Sequence, residues 1–280
     1  MGFPGISVVH GSPQTIWVPV VSSTTVYVGG LVAVDSSAPT EGVLVLPDAA
    51  GAINETNYDI PFGVCIGTNR KTPLYSSTYL TEYITCPGAA DAHDGASIEY
   101  TGVEGPWAKG DPIPMVKVAL IGPGTVLRAP IRKAAIGTAP TVVTSTNTSS
   151  DGLGITTGTI DFTPDGNPIS TIYCRSGNNA GAYRILDSAS TTVHTWDTAM
   201  RQDIAVGDTF VAVPLRTHGL STVMFDATTA MFIDCADAPV LAGTNRWYIN
   251  VLRLDLRDAG NEYAEFMFMG NHFTILPTFA

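Results

Sequence analysis

Positively charged side chains are scarce in this chain of 280 residues. Lys and Arg number 14 against 25 Asp and Glu, so the formal net charge is 14 − 25 = −11 and the pI is about 4.7. Nucleic-acid binding requires a basic surface for the phosphates, so we expect no nucleic-acid partner. Charged residues of both signs make up 14 % of the chain, and apolar residues make up 45 %. Because disorder requires high charge and low apolarity, we expect a folded protein with a hydrophobic core.

Long apolar runs and paired cysteines are also lacking. No apolar run reaches the roughly 18 residues of a membrane-spanning helix, so we expect no membrane partner. Residues 1–7 lack the basic and apolar segments of a secretory signal, which favours synthesis in a reducing cytoplasm. The cysteines form no CxxC pair and are too few for a disulfide framework. We therefore expect buried thiols at Cys65, Cys86, Cys174 and Cys235.

Motifs that carry catalytic chemistry are missing as well. The sequence has no GxSxG elbow for a nucleophilic serine, and its five histidines share no metal-ligand spacing. The densest polar cluster is Asp91-Ala92-His93-Asp94. We interpret it as a turn, because side chains so close in sequence rarely converge on one metal ion. We therefore predict no catalytic residue, no cofactor and no metal site, and hence no enzyme.

Glycine and proline are plentiful, at 28 and 19 residues, and their spacing excludes a coiled coil or a helical bundle. Between them lie short runs rich in β-branched and aromatic residues, which is the pattern of β-strands. The predicted strands are 16–21, 24–28, 31–34, 42–47, 61–67, 79–86, 96–101, 115–120, 157–162, 170–174, 182–186, 209–213, 247–256 and 263–269. The apolar alternation of 247–256 changes phase near Val251 and Leu252, as at a β-bulge. Only 223–234 has the pattern of a short helix, so we predict an all-β fold.

Composition changes near Lys133, the last lysine of the chain. Residues 1–133 carry 7 basic and 11 acidic side chains, whereas 134–280 carry 7 arginines and 14 acids. The segment 134–150 is rich in serine and threonine, which favours a linker or an exposed loop. We predict an extended N-terminal arm at 1–15, a small β-barrel or β-sandwich domain at 16–136 and a β-sandwich domain at 137–280.

Two stretches combine turn and strand residues in a distinctive order. The first is Gly29-Gly30-Leu31-Val32-Ala33-Val34-Asp35, then Gly42-Val43-Leu44-Val45-Leu46-Pro47, then Ile60-Pro61-Phe62-Gly63-Val64-Cys65-Ile66-Gly67. It resembles the small capsid decoration or cement proteins of tailed bacteriophages. The second is Ser176-Gly177-Asn178-Asn179-Ala180-Gly181-Ala182-Tyr183-Arg184-Ile185, then Ala205-Val206-Gly207-Asp208-Thr209-Phe210-Val211. It is similar to a β module of phage head proteins and other structural proteins.

This resemblance implies a virion structural protein that binds the outside of a phage capsid and cements the shell. Such a protein is made in the host cytoplasm and ends at the capsid surface. Its implied partners are the major capsid protein of the phage shell and neighbouring copies of itself, in a homo-oligomer such as a trimer. A head-fibre or tail-associated subunit is the alternative within the virion. A carbohydrate-binding or glycan-hydrolysing β protein is the alternative from another class.

The contact with the shell is expected to be mainly apolar, because the chain has few cationic side chains for a charged docking face. Stable interfaces of this kind rest on aromatic and aliphatic anchors. We therefore select two tryptophans and the apolar residues near both chain ends. The candidate interface residues are Phe3, Ile6, Trp17, Trp107, Ile275, Leu276 and Phe279.

Overall fold

A computed structural model confirms the all-β fold predicted from the sequence. It describes residues 5–11, 13–34, 42–46, 60–86, 113–133, 138–160, 170–189, 192–236 and 247–270. Within these ranges the chain forms strands and turns, with no α-helix. Accordingly, the described part contains no helical segment that is long and apolar enough to cross a bilayer.

The chain divides into two compact units, each assembled from separate segments. The first unit comprises 3–129, 225–232 and 267–280, and the second comprises 1–2, 130–224 and 233–266. The domain limits predicted from the sequence stay predictions. Residues 7–10, which lie in the predicted arm, form strand β1 (Ser7–His10). This strand pairs antiparallel with the start of β10 (Val126–Arg132), where Val8 lies opposite Leu127.

Besides β1, the first unit holds two antiparallel sheets of short strands. These strands are β2 (Thr15–Pro19), β3 (Thr25–Tyr27), β4 (Leu31–Val34), β5 (Val43–Val45), β6 (Ile60–Thr68), β7 (Leu74–Ser76), β8 (Thr81–Thr85) and β9 (Met115–Leu120). The larger sheet has the order β2-β9-β6-β4-β5, and the smaller has the order β3-β8-β7.

The larger sheet curls until its two edge strands meet. Val20, directly after β2, bridges to Val43 at the start of β5, and the Val21 amide donates to the Val43 carbonyl at 3.1 Å. The interior of this half-closed barrel is filled by short side chains, as the narrow space requires. They are Val20, Val26, Val32, Val43, Cys65, Ile84, Cys86, Val116 and Val118.

The second unit also contains two sheets. Its strands are β11 (Val142–Thr144), β12 (Gly154–Thr156), β13 (Thr171–Cys174), β14 (Tyr183–Ala189), β15 (Val193–Trp196), β16 (Thr209–Val213), β17 (Gly219–Val223), β18 (Ile233–Asp234), β19 (Trp247–Asp255) and β20 (Tyr263–Phe268). One sheet has the order β11-β16-β13-β14-β15-β12, around a core that includes Trp196 and Phe210. In the other sheet β20 lies between the end of β10 and β19, and β17 flanks β19.

Three local predictions from the sequence are wrong. The described part of 134–150, residues 138–150, is not a linker, because it contains β11, whose Val143 is buried in the core. The described part of 157–162 is not a strand, and β12 lies just before it. No helix forms at 223–234, where the Asp226 carboxylate accepts the Thr229 amide at 2.8 Å and closes a turn instead.

The change of phase predicted for the strand at 247–256 is confirmed. In β19, Val251 is buried, Leu252 and Arg253 are both exposed, and Leu254 is buried again. Such a change of phase is what a β-bulge produces, because one extra residue turns the rest of the strand over by one position.

Candidate interface

Trp17 lies on the outer face of the curled sheet and is 47 % exposed. Within the sheet, Trp17 on β2 lies opposite Lys117 on β9, and Lys117 lies opposite Gly67 on β6. Directly opposed residues share one face of a sheet, so the indole and the Lys117 side chain are neighbours. Ile66 is the extra residue where the β6–β9 register shifts between Cys65 and Gly67, and it is 44 % exposed. We call Trp17, Lys117 and Ile66 the Trp17 row.

Tight packing beneath the Trp17 row fixes its backbone. Cys65 and Val118, which pair across β6 and β9, point inward and are fully buried. At Gly63 a Cβ atom would overlap the Val118 side chain and the Ala119 carbonyl, so only glycine allows β6 to cross β9 this closely. The row therefore presents two exposed apolar side chains beside one lysine on a tightly packed sheet, and such a support lowers the entropic cost of binding a partner.

A second apolar surface of the first unit is built from tyrosines. Tyr27 on β3 lies opposite Tyr83 on β8, which in turn lies opposite Leu74 on β7. The Tyr27 ring makes an edge contact with Tyr79 at 4.9 Å between centroids and a tilted contact with Tyr83 at 5.5 Å. Burial raises the pKa of Tyr27, and Tyr79, Tyr83 and Asp226 add to the rise. These partly exposed rings offer contact area with little entropy to lose.

The hairpin that joins β7 to β8 extends this tyrosine surface. Tyr75 is 62 % exposed, and Leu80 is 54 % exposed with a left-handed backbone (φ 55°). Sequence reasoning treated 79–86 as one strand and missed the surface. The available signal was the pair Ser76 and Ser77, because serines favour a turn. A turn there predicts two short opposed strands, one before the serines and one after them.

The candidate interface residues predicted from the sequence fall into three groups. Ile6 is covered by its own chain and only 4 % exposed, whereas Trp17 is exposed. Phe3, Trp107, Ile275, Leu276 and Phe279 lie outside the described residues. Of the two that are described, Trp17 alone offers surface to a partner, and its contact with a partner stays a prediction.

The second resemblance stretch proves to be two interlocked turns of the second unit. The Ser176 hydroxyl accepts the Thr209 amide at 3.0 Å, and the Asp208 carboxylate accepts the Ala205 amide at 3.0 Å. Asn179 links the first turn to the residues just before Ala205, since its side-chain amide donates to the Gln202 carbonyl at 2.8 Å. The motif therefore encodes local structure in this chain, because its polar side chains are used to hold turns together.

A sugar-binding site would combine exposed aromatic rings with carboxylates in a groove. A depression of about 420 Å³ is lined by Asp151, Asp187, Leu153 and Val193, among others. Trp196 lies beneath it, but this ring is 2 % exposed and its Nε1 donates to the Gly152 carbonyl at 2.7 Å. The Ser149 hydroxyl and the Leu153 amide lower the pKa of Asp151. The depression thus has surface carboxylates but no exposed ring on which a sugar could stack.

Metal-binding geometry is absent from the part of the chain that the structure describes, where no three His, Cys, Asp or Glu side chains converge. The Asp91-His93-Asp94 cluster lies outside that part. The functional assignment therefore depends on the exposed surfaces above and on the sequence resemblance. No protein-family model, curated protein or solved structure matches this chain.

Proposed function

We propose that this protein is a virion structural protein that binds the outside of a phage capsid and cements the shell. The resemblance of 29–67 and 176–211 to phage structural proteins supports the class of protein. The Trp17 row is the surface that we propose contacts the shell, and it is the structural observation on which the proposal depends. Its Trp17 and Ile66 side chains are apolar and exposed on a tightly packed sheet.

The area of the Trp17 row is sufficient for an anchor. Covering the exposed part of one indole removes on the order of 100 Å² of apolar surface, which is worth about 2.5 kcal/mol. Covering the exposed part of Ile66 removes further apolar surface from water and adds to this binding energy. Because each copy binds only the assembled shell, this energy stabilises the particle by mass action, and many copies multiply the effect.

Electrostatics favours an apolar contact over a charged one. Copies that carry −11 each repel one another when they are packed on a shell. Salt screens this repulsion, with a Debye length of about 8 Å at physiological strength. Occupancy should therefore hold or rise as salt increases, and a steep loss with salt would indicate a contact steered by charge.

Binding to empty shells of the phage that encodes this chain tests the proposal directly. Shells stripped of the protein are titrated with the wild type, with Trp17→Ala and with Leu220→Ala as the control. Leu220 is 51 % exposed on β17 of the second unit, so both substitutions remove surface side chains. We expect Trp17→Ala to weaken binding at least tenfold, equivalent to about 1.4 kcal/mol, and Leu220→Ala to leave it unchanged.

Two further readouts separate a lost contact from lost folding and from other virion roles. Urea unfolding of free Trp17→Ala should keep a single cooperative transition, because the half-exposed indole lies on the outer face of the sheet and not in its core. Decorated shells should rupture at a higher temperature than bare ones. Wild-type affinity in Trp17→Ala would contradict the role of the row, and an unchanged rupture temperature would contradict cementing. A protein seen only on a fibre or tail in the native particle would identify the virion alternative.

A further inference from the structure

His194 is a fully buried histidine in the second unit. It lies on β15, opposite Ile155 on the edge strand β12 and opposite Ala189 on β14. Its side chain is 0 % exposed. The ring nitrogen Nε2 is 3.3 Å from the Gly158 carbonyl, whereas Nδ1 has no hydrogen-bond partner. Since a carbonyl only accepts, Nε2 carries the proton and Nδ1 is a bare acceptor in the neutral ring.

This environment suits the neutral ring and not the cation. Protonation would place a second N–H on Nδ1, where nothing accepts it, and would add a charge in the core. The residues opposite His194 on β12 and β14, Ile155 and Ala189, are uncharged, and the group that covers Nε2 is a backbone carbonyl. No Asp or Glu of the described residues contributes to its titration. Burial lowers the pKa of His194, and the Gly158 carbonyl offsets part of that effect.

The cover over His194 is short and lies at the sheet edge. It consists of the three-residue strand β12 together with Thr157 and Gly158. The Thr157 amide donates to the Thr192 carbonyl at 2.8 Å, and the Thr157 hydroxyl is buried without a partner. On the other side, the chain is anchored at Gly152, whose carbonyl accepts both the Trp196 indole and the Met200 amide. Thr156 is also bonded to 146–147, since its carbonyl accepts the Thr146 amide at 2.8 Å and its amide donates to the Asn147 side chain at 2.7 Å. Local opening of 154–158 therefore breaks these bonds as well and uncovers Ile155, while the chain at Gly152 stays anchored.

We propose that His194 is an acid-operated catch: uptake of a proton at Nδ1 releases residues 154–158 and exposes the edge of β15. In the open state the ring is in water, with an ordinary pKa of 6.5. If the closed state binds no proton, the opening equilibrium rises by about 8-fold at pH 5.5 and about 25-fold at pH 5 relative to pH 7. The direction follows from the lowered pKa of the folded state, since stability is then lost as pH falls.

Hydrogen exchange at two pH values tests the catch. The protection of amides in 154–158 is measured by mass spectrometry at pH 7.5 and 5.5, after correction for the intrinsic pH dependence of exchange. His194→Gln keeps a donor for the Gly158 carbonyl but cannot become charged. His218→Gln is the matched control, because His218 is exposed and its Nδ1 is hydrogen-bonded to the neighbouring Thr217 hydroxyl. We expect about a tenfold loss of protection at pH 5.5 in the wild type and in His218→Gln, and none in His194→Gln.

Two outcomes would overturn the proposal. One is equal protection at both pH values in the wild type, and the other is the same acid-dependent loss in His194→Gln as in the wild type. Should His194→Gln fail to fold, NMR of the wild-type ring decides instead. At pH 7 the His194 ring must be the neutral tautomer with the proton on Nε2, and a charged ring or the other tautomer would refute the catch.

Discussion

Replacement of Gly177 by alanine tests whether the second motif is a structural device. Gly177 has a left-handed backbone (φ 86°), and a Cβ atom there would overlap the Asp208 carboxylate. A left-handed alanine costs about 1 kcal/mol. The carboxylate must also move away from the Ala205 amide, and a lost hydrogen bond to a charged group costs about 2 kcal/mol. We therefore expect Gly177→Ala to lower the free energy of unfolding by about 3 kcal/mol.

A double-mutant cycle separates the cost of the steric overlap with Asp208 from the cost of placing alanine in a left-handed backbone. Asp208→Ala alone loses the hydrogen bond and should cost about 2 kcal/mol. In Gly177→Ala/Asp208→Ala the clash is gone, so the cost should be about 3 kcal/mol instead of the additive 5 kcal/mol. Gly181→Ala is the matched control, because Gly181 has a similar backbone (φ 94°) but open space around its Cβ position. It should cost about 1 kcal/mol.

Urea unfolding followed by tryptophan fluorescence measures these values, since Trp196 is buried in the same unit against Phe210. Additive costs in the cycle would show that Gly177 and Asp208 do not interact. Equal costs for Gly177→Ala and Gly181→Ala would show that the close approach to Asp208 contributes nothing to the loss of unfolding free energy. Either result would refute the interlocked-turn explanation of the motif.

Two more predictions concern buried groups. Glu262 is fully buried, and its carboxylate pairs with Arg175 and Arg132. Glu262→Gln should therefore lower the free energy of unfolding in urea by about 3 to 5 kcal/mol, whereas Glu82→Gln, at an exposed position, should change it by no more than about 0.5 kcal/mol. Similar costs for both substitutions would contradict a buried ion-pair cluster. The four cysteines are buried and form no disulfide, and burial raises the pKa of Cys65 to about 12 and that of Cys174 to about 11. Iodoacetamide should therefore label none of them quickly in the native protein and all of them in guanidinium, and a fast native phase would refute this.

Strands whose pattern is local were predictable from the sequence. Leu31–Val34, Met115–Leu120 and Thr209–Val213 were predicted with the bounds that the structure has. Each is a short run dominated by apolar, mostly β-branched side chains, and glycine-containing turns lie close by. Their limits are set by residues within the run and its flanks, so no distant contact is needed to find them.

Strands that depend on distant partners were missed. β10 contains Pro130 and Arg132, which argue against a buried strand, yet Arg132 is only 7 % exposed. Its guanidinium is accommodated because the Gly260 carbonyl accepts from it at 2.9 Å and Glu262 pairs with it, from far along the chain. β11 was missed for a related reason, since only Val143 of its three residues points into the core.

The Trp17 row could be predicted only in part. The run 16–21 is apolar on both of its alternating faces, so the sequence cannot tell which face the curled sheet buries. The register with β9 decides it: Val18 falls opposite buried Val116, and Trp17 falls opposite Lys117. Ile66 was hidden for the same reason, because only the register shift on β6 frees it from the core.

The motifs and the candidate interface therefore have different physical roles. Gly63 and Gly177 lie where a side chain would overlap a neighbour, and Asp208 holds a turn, so these residues preserve the fold. Trp17 lies in neither motif, and about half of its indole is exposed. Exposed side chains have fewer packing constraints than buried ones, so they can change between proteins that share this fold at a smaller cost in stability. Under the proposed function, the motifs preserve the scaffold, and the choice of shell would depend on exposed positions such as Trp17.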